Sequence, residues 1–305
     1  MSNKNKKPGL KGSKDNIKIA PCLLVFAVAG IAGIVIRTLQ TFKFIDSKTG
    51  FYTGGEALAV ILYIIIAVSV LVFCAASYLS SQNKKITLGG EKHKFAAIGT
   101  LLLALSLLGD CYYSFHAAVL NSGALGVGYT NAMKSGFIPL IIQSASALFS
   151  AIYLLILASD LSKGTAKVYK RKFLATAPVL WAGSRLIFRF LKQISFVQVS
   201  DLFLELCMIA FMIMFFMALA QTASGVYSDS LKWRIPAFGM SAGLIAAIIS
   251  VPRMIVALTA REFVNSEYPF SLNDLIFVVF IITLVVKIKA EADRPEPVIA
   301  EGKPE

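Results

Sequence analysis

The sequence contains few charged residues for its length. Aspartate, glutamate, lysine and arginine make up 15% of its 305 residues, whereas hydrophobic residues make up 57%. A soluble domain carries about 25% charged residues and about 45–50% apolar ones. The composition therefore excludes a water-soluble enzyme, a disordered chain and a fibrous protein, and it indicates a polytopic membrane protein.

Cysteine and histidine are scarce as well, with four and two residues. The cysteines all fall in apolar stretches, and their spacing matches neither a metal site nor a disulfide framework. His93 and His116 are too widely separated for paired haem ligation. The Walker A, H-E-x-x-H and G-x-S-x-G motifs are missing from the sequence. We therefore expect a protein without catalytic residues, metal or cofactor, and without enzymatic activity.

Long stretches without charge predict eight membrane-spanning helices. A bilayer core about 30 Å thick needs roughly 20 apolar residues of helix, whereas strands of a membrane β-barrel would be shorter and alternating. The predicted spans lie at 19–36, 57–83, 95–120, 135–159, 173–195, 206–228, 235–252 and 268–286. The predicted fold class is an all-α helix bundle over 18–289, flanked by disordered polar tails at 1–17 and 290–305.

Basic residues outside the spans predict the orientation of the chain. The formal net charge is +13, which in a soluble protein would suggest nucleic acid as a partner. Most of these lysines and arginines lie in the two tails and in the loops after the second, fourth and sixth spans. The positive-inside rule then places both termini in the cytoplasm of a plasma-membrane protein. The expected partners of these residues are anionic lipid headgroups on that side, not nucleic acid.

Ionisable residues inside the spans are the strongest indication of a site, because charge within a membrane is costly and by default functional. Each of them falls in the outer half of its span, and snorkelling accounts only for the two nearest the outer boundary, Arg37 and Arg253. The candidate ligand-binding residues are Arg37, Asp110, Arg185, Arg189, Glu205, Arg253 and Asp274.

Spans 5 and 6 carry charges with helical spacing. Arg185, Arg189 and Lys192 share one helix face, and Asp201 and Glu205 share a face of the next helix. Antiparallel pairing of the two helices predicts that Lys192 lies beside Asp201 and that Arg189 lies beside Glu205.

Arg185 has no acid opposite it in this pairing, so it needs another partner. Asp110 and Asp274 lie at a similar depth, and either one is a possible counter-charge. The alternative partner is an anionic ligand, because the planar guanidinium fork matches a carboxylate or a phosphate.

Aromatic residues lie near the same depth as these charges. They are Tyr112, Tyr113, Phe115, Trp181 and Phe188. Such residues either line a cavity or anchor the protein at the outer interface, and the second role is the commoner one.

Two functional hypotheses fit these observations. In the first, the protein binds or transports a small, anionic solute in an outward-facing polar pocket. Arg185 would hold the anionic group, Arg189 and Glu205 would shape the site, and Asp110 and Asp274 would act as counter-charges or proton carriers.

In the second hypothesis the protein is a non-transporting sensor, accessory subunit or scaffold, and its intramembrane charges pair with one another. A third possibility, an enzyme acting on lipid headgroups, would need Asp110 and His116 to cooperate. These two residues are about 600° apart around a helix and point to different faces.

The predicted topology can be tested with single cysteines in a background where the four native cysteines are replaced by alanine. We expect a membrane-impermeant maleimide to label Lys48→Cys in intact cells, because position 48 lies in an outer loop. The matched variant Lys303→Cys should be labelled only after permeabilisation. Labelling of position 303 in intact cells would contradict the predicted orientation.

Overall fold

The computed structural model describes residues 19–45, 52–80, 92–120, 136–191, 199–226, 229–259 and 271–292. These residues form eight α-helices in the order predicted from the sequence. The helices are α1 (Ile19–Leu39), α2 (Glu56–Ser80), α3 (Lys94–Leu120), α4 (Phe137–Lys163), α5 (Ala177–Leu191), α6 (Val199–Ala223), α7 (Asp229–Leu258) and α8 (Leu272–Ala292). The described residues contain no β-strand beyond an isolated antiparallel bridge between Ile45 and Tyr52.

Six of these helices are long and apolar enough to cross a membrane: α1 with the π-helical turn Gln40–Phe44 that follows it, α2, α3, α4, α6 and α7. The chain is therefore an integral, multi-pass membrane protein. Helix α5 is shorter, with 15 residues, and α8 has Asp274 in its first turn and Lys289 in its last.

Several helices extend beyond the ends predicted from the sequence, and in α7 and α8 the extension includes basic residues. Helix α7 begins at Asp229, so Arg234 belongs to its first turns rather than to a loop. Helix α8 ends at Ala292, beyond the predicted boundary at 289, and it includes Lys287. The Lys287 side chain is buried and forms an ion pair of 2.8 Å with Glu291 one turn later. The predicted tail at 1–17 lies outside the described residues.

Helices α3 to α8 form a ring in which each helix contacts the next and α8 contacts α3. The most extensive contact in the ring joins α3 and α4. Helix α7 contacts α6 and α8 within the ring, and also α1 and α2, which contact each other. The α1–α2 hairpin therefore packs against the outside of the ring along α7.

Small residues allow the helices to approach closely, as their spacing predicts. A Cβ atom on Gly33 of α1 would lie 2.6 Å from Ile248 Cδ1 of α7. A Cβ atom on Gly239 of α7 would lie 3.0 Å from Phe215 of α6 and 3.2 Å from Ile281 of α8. Helix α1 therefore packs closely on α7, and α7 on α6 and α8, at these glycines.

Fully buried aromatic side chains fill the interior of the ring. Phe215 and Phe216 of α6 contact Phe277 of α8, with ring centroids 5.9 and 5.8 Å apart. Phe280 and Trp181 extend the group, at 6.0 Å from Phe215 and 6.3 Å from Phe216. We call these five side chains the aromatic layer.

The packing of α3 against α8 can be tested at a glycine. A Cβ atom on Gly99 would overlap Thr283 Oγ1 and lie 3.2 Å from Thr283 Cβ, and the branched threonine cannot easily move aside. We expect Gly99→Ala to lower the free energy of unfolding by about 1–3 kcal/mol, measured in detergent.

The matched control is Gly109→Ala on the same helix, where a Cβ atom would meet nothing within 4 Å. Because alanine is the better helix former, this variant should be neutral or more stable, by about 0.5–1 kcal/mol. Equal effects of the two substitutions would contradict the close contact at Gly99.

Candidate functional site

Arg185 of α5 and Asp274 of α8 form a buried, two-pronged ion pair. Arg185 Nη1 donates to Asp274 Oδ1 at 2.8 Å, and Nη2 donates to Oδ2 at 3.2 Å. The two side chains are 9% and 3% exposed. Such parallel bonds between a guanidinium and a carboxylate are among the strongest side-chain contacts. The pair therefore fixes α5 relative to α8 across the ring.

Trp181 connects this pair to a second acid, Asp110 of α3. The Arg185 guanidinium lies 5.2 Å from the centre of the Trp181 ring, in the range of a cation–π contact. Trp181 Nε1 donates to Asp110 Oδ2 at 2.6 Å, and Gln143 Nε2 of α4 donates to the same oxygen at 3.2 Å. Asp110 is half-buried, so its carboxylate is the more accessible end of this chain of contacts.

Glu205 of α6 accepts bonds from arginines of two other helices. Arg189 of α5 contacts its Oε1 at 2.8 Å, and Arg253 of α7 contacts its Oε2 at 3.5 Å. The Glu205 side chain is 1% exposed, whereas those of Arg189 and Arg253 are 16% and 14% exposed. Two guanidinium groups thus share one buried carboxylate.

Together these contacts involve every helix of the ring, since α3, α4, α5, α6, α7 and α8 each contribute at least one side chain. We call this set the charged layer; it consists of Asp110, Gln143, Trp181, Arg185, Arg189, Glu205, Arg253 and Asp274. It lies toward the ends of α5 and α7 and the beginnings of α6 and α8. The rest of the aromatic layer adjoins it on the other side of Trp181.

The pairing predicted for spans 5 and 6 is confirmed where the structure describes it. Arg189 binds Glu205, and Arg185 takes one of its two predicted acids, Asp274, as its partner. The predicted contact between Lys192 and Asp201 lies outside the described side chains.

The described hydrogen bonds of Arg37 lead to Gln40 and Tyr52, and neither of these residues belongs to the charged layer. Its Nη1 donates to Gln40 Oε1 at 2.9 Å and to the Tyr52 hydroxyl at 2.8 Å. The side chain is 3% exposed, because the π-helical turn after α1 and the bridge at Tyr52 fold the chain over it. Arg37 thus belongs to the α1–α2 hairpin.

The aromatic residues near the charges divide into two groups. Tyr112, Tyr113 and Phe115 are exposed on α3, consistent with anchors in a membrane interface. Trp181 is fully buried and binds Asp110, so an anchoring role is wrong for this residue. His116 is exposed and stacks on Tyr112, with ring centroids 6.3 Å apart. The described hydrogen bonds of Asp110 come from Trp181 and Gln143, not from this histidine.

Sequence reasoning missed Trp181 and Gln143 as members of the site. Neither is charged, and a search for charge within spans therefore passes over both. The available signal was Gln143, a large polar residue in a span without charge, at a depth similar to that of Asp110.

Within the part of the chain that the structure describes, no three histidine, cysteine or acidic residues lie close enough to hold a metal ion. The four cysteines form no disulfide bond with one another.

Comparison of the chain with protein-family models, with curated proteins and with solved structures gives no match.

The Arg185–Asp274 pair can be tested by removing one charge or both. Arg185→Met leaves a buried carboxylate without its partner, which should lower the free energy of unfolding in detergent by about 3–5 kcal/mol. Adding Asp274→Asn removes that charge as well, and we expect the double variant to recover much of the lost stability. A double variant less stable than the single one would show that the pair is not the main interaction of Arg185.

Proposed function

We propose that the protein binds or transports a small, anionic solute in an outward-facing polar pocket formed by the charged layer. We further propose that it resides in the plasma membrane with eight spans and with both termini in the cytoplasm. The observation that carries the proposed activity is the sharing of Glu205 by Arg189 and Arg253.

The proposal of eight spans is supported by the positions of α5 and α8 in the ring. Helix α5 packs between α4 and α6, and α8 packs between α3 and α7, which are all long, apolar helices. The charges that make α5 and α8 less apolar are turned inward, since Arg185 and Asp274 neutralise each other in the interior. Both helices can therefore cross a bilayer without exposing these charges to lipid.

The contacts at Glu205 favour an anion as the solute. Two guanidinium groups, those of Arg189 and Arg253, meet at one carboxylate, which places two anion-binding side chains close together. Arg253 makes the longer contact, at 3.5 Å, and its fork is suited to a carboxylate or a phosphate of the solute. In this proposal Arg253 and Arg189 hold the anion, and Arg185 shapes the site through its pair with Asp274.

The aromatic layer supports a pocket that opens to one side. Its five side chains are fully buried and pack edge to face or tilted, and they fill the ring on the side of the charged layer that the proposed topology assigns to the cytoplasm. On the charged side, Asp110 is half-buried. A solute would reach the arginines from the outer side, and passage to the cytoplasm would require the aromatic side chains to move.

A second candidate is a sensor, accessory subunit or scaffold, and a specific observation favours it. All the intramembrane charges predicted as ligand-binding have a polar side-chain partner within the protein. In that case the ion pairs of the charged layer have a structural role and stabilise one arrangement of the six ring helices.

We also propose that anionic lipid headgroups contact the cytoplasmic end of the protein. The segment between α4 and α5 forms two short 3-10 turns, Lys167–Lys170 and Lys172–Thr176. Its basic side chains are exposed beside Phe173, which is 95% exposed. Basic residues next to an exposed aromatic ring suit a membrane surface.

The anion site can be tested by thermal unfolding of the purified protein in detergent. A ligand present at 100 times its Kd stabilises the native state by about 2.7 kcal/mol. We expect one of inorganic phosphate, acetate or succinate to raise Tm more than chloride does at equal ionic strength. Arg253→Gln should abolish that increase while leaving Glu205 paired with Arg189, so the protein should still fold.

The matched control is Arg234→Gln on the same helix, where the guanidinium lies 5.9 Å from the Trp233 ring, away from the charged layer. This variant should keep the full response to the anion. If none of the three anions stabilises the wild-type protein beyond chloride, the scaffold or sensor candidate is preferred.

A further inference from the structure

A row of buried polar side chains runs along α4 from the charged layer toward the cytoplasmic end. Its members are Gln143, Ser146, Ser150, Tyr153 and Asp160, which are all less than a tenth exposed. Successive members are three, four, three and seven residues apart, and these intervals keep side chains on one face of a helix. We call this set the α4 polar row.

The three hydroxyl groups of the row differ in their hydrogen bonding. Ser146 Oγ donates to the Ile142 carbonyl at 2.7 Å, and Ser150 Oγ donates to the Ser146 carbonyl at 2.6 Å. The Tyr153 hydroxyl is buried and has no hydrogen-bond partner among the described residues. Leaving a buried hydroxyl unpaired costs about 1–3 kcal/mol, and ordered water is the usual partner of such groups.

The two ends of the row reach more accessible groups. At the outer end, Gln143 binds the half-buried Asp110. At the inner end, Asp160 accepts bonds from the Val168 amide at 2.6 Å and from the Thr165 hydroxyl. Helix α4 rises about 25 Å between 143 and 160 at about 1.5 Å per residue, which is most of the thickness of a bilayer core.

Tyr153 lies between these ends and is close to the segment that follows α4. The turn Lys167–Lys170 in that segment packs against α4 and carries Tyr169, which is half-buried. Polar groups therefore continue from Tyr153 toward the cytoplasmic surface.

We propose that the α4 polar row holds a file of water molecules and forms a path for protons between Asp110 and the cytoplasmic end of α4. A proton moves along such a file by breaking one O–H bond as the next O–H bond forms, so the water and the side chains are unchanged after each transfer. Tyr153 is the central group of the path, because its hydroxyl can both donate to and accept from water. This inference goes beyond the anion site and does not require it.

Water at Tyr153 can be detected by radiolytic labelling, in which radicals formed from nearby water oxidise adjacent side chains. We expect Tyr153 to be labelled although it is fully buried. Phe280 of the aromatic layer is equally buried and serves as the control without nearby water. The exposed Tyr112 serves as the control that water reaches. Labelling of Tyr153 no greater than that of Phe280 would overturn the proposal.

Proton movement can be measured in liposomes that contain the protein and a trapped pH-sensitive dye, with a potassium diffusion potential as the driving force. We expect flux above that of protein-free liposomes, and a severalfold loss in Tyr153→Phe, which removes only the hydroxyl. Ser150→Ala provides a second variant of the row. Tyr113→Phe, at an exposed position of α3, is the matched control and should keep the wild-type flux.

Equal flux in the wild-type protein and in Tyr153→Phe, or no flux above protein-free liposomes, would overturn the proton path. The anion response of the same variant distinguishes this failure from that of the proposed function. Tyr153→Phe should still be stabilised by the anion that stabilises the wild-type protein, because the substitution leaves Arg189 and Arg253 in place.

Discussion

The buried guanidinium of Arg185 is the constraint on which the rest of the structure depends. A charge of this kind in the interior of a membrane protein costs several kcal/mol unless it is paired. Asp274 supplies the carboxylate and Trp181 supplies an aromatic face, so α5 and α8 must face each other across the ring. Trp181 then binds Asp110, which brings in α3. Satisfying this one charge therefore connects α3, α5 and α8 across the ring.

The charges of the layer are balanced, and this balance limits what can bind there. Three arginines of the layer, Arg185, Arg189 and Arg253, face three acids, Asp110, Glu205 and Asp274. An added anion would therefore unbalance the layer unless a proton came with it. Asp110 is the half-buried acid of the set, and it stands at the outer end of the α4 polar row. Anion binding and a proton path would then be two parts of one charge balance.

Much of this site could be predicted from helical spacing, and the remainder could not. Arg189 and Glu205 lie on consecutive helices joined by a short turn, so their contact depends only on the register of a hairpin. Asp274 was one of two acids at the right depth for Arg185, and sequence could not choose between them because depth does not determine which helices are neighbours. Tyr153 was not predicted, and Trp181 was predicted only as an interface anchor or a cavity-lining residue, since an aromatic residue in a span can face lipid, the core or a site.

The sequence by itself determined the class of protein, the number and order of its helices, and the end of the bundle at which the intramembrane charges gather. These features follow from where charge is absent and where it is rare, because a charged side chain within a span is costly unless it is paired or faces the interior. Only the tertiary structure decided which helices close the ring, that α1 and α2 pack outside it on α7, and that Asp274 rather than Asp110 pairs with Arg185. Those choices depend on close packing between helix faces that are equally apolar, and apolarity alone does not distinguish one such face from another.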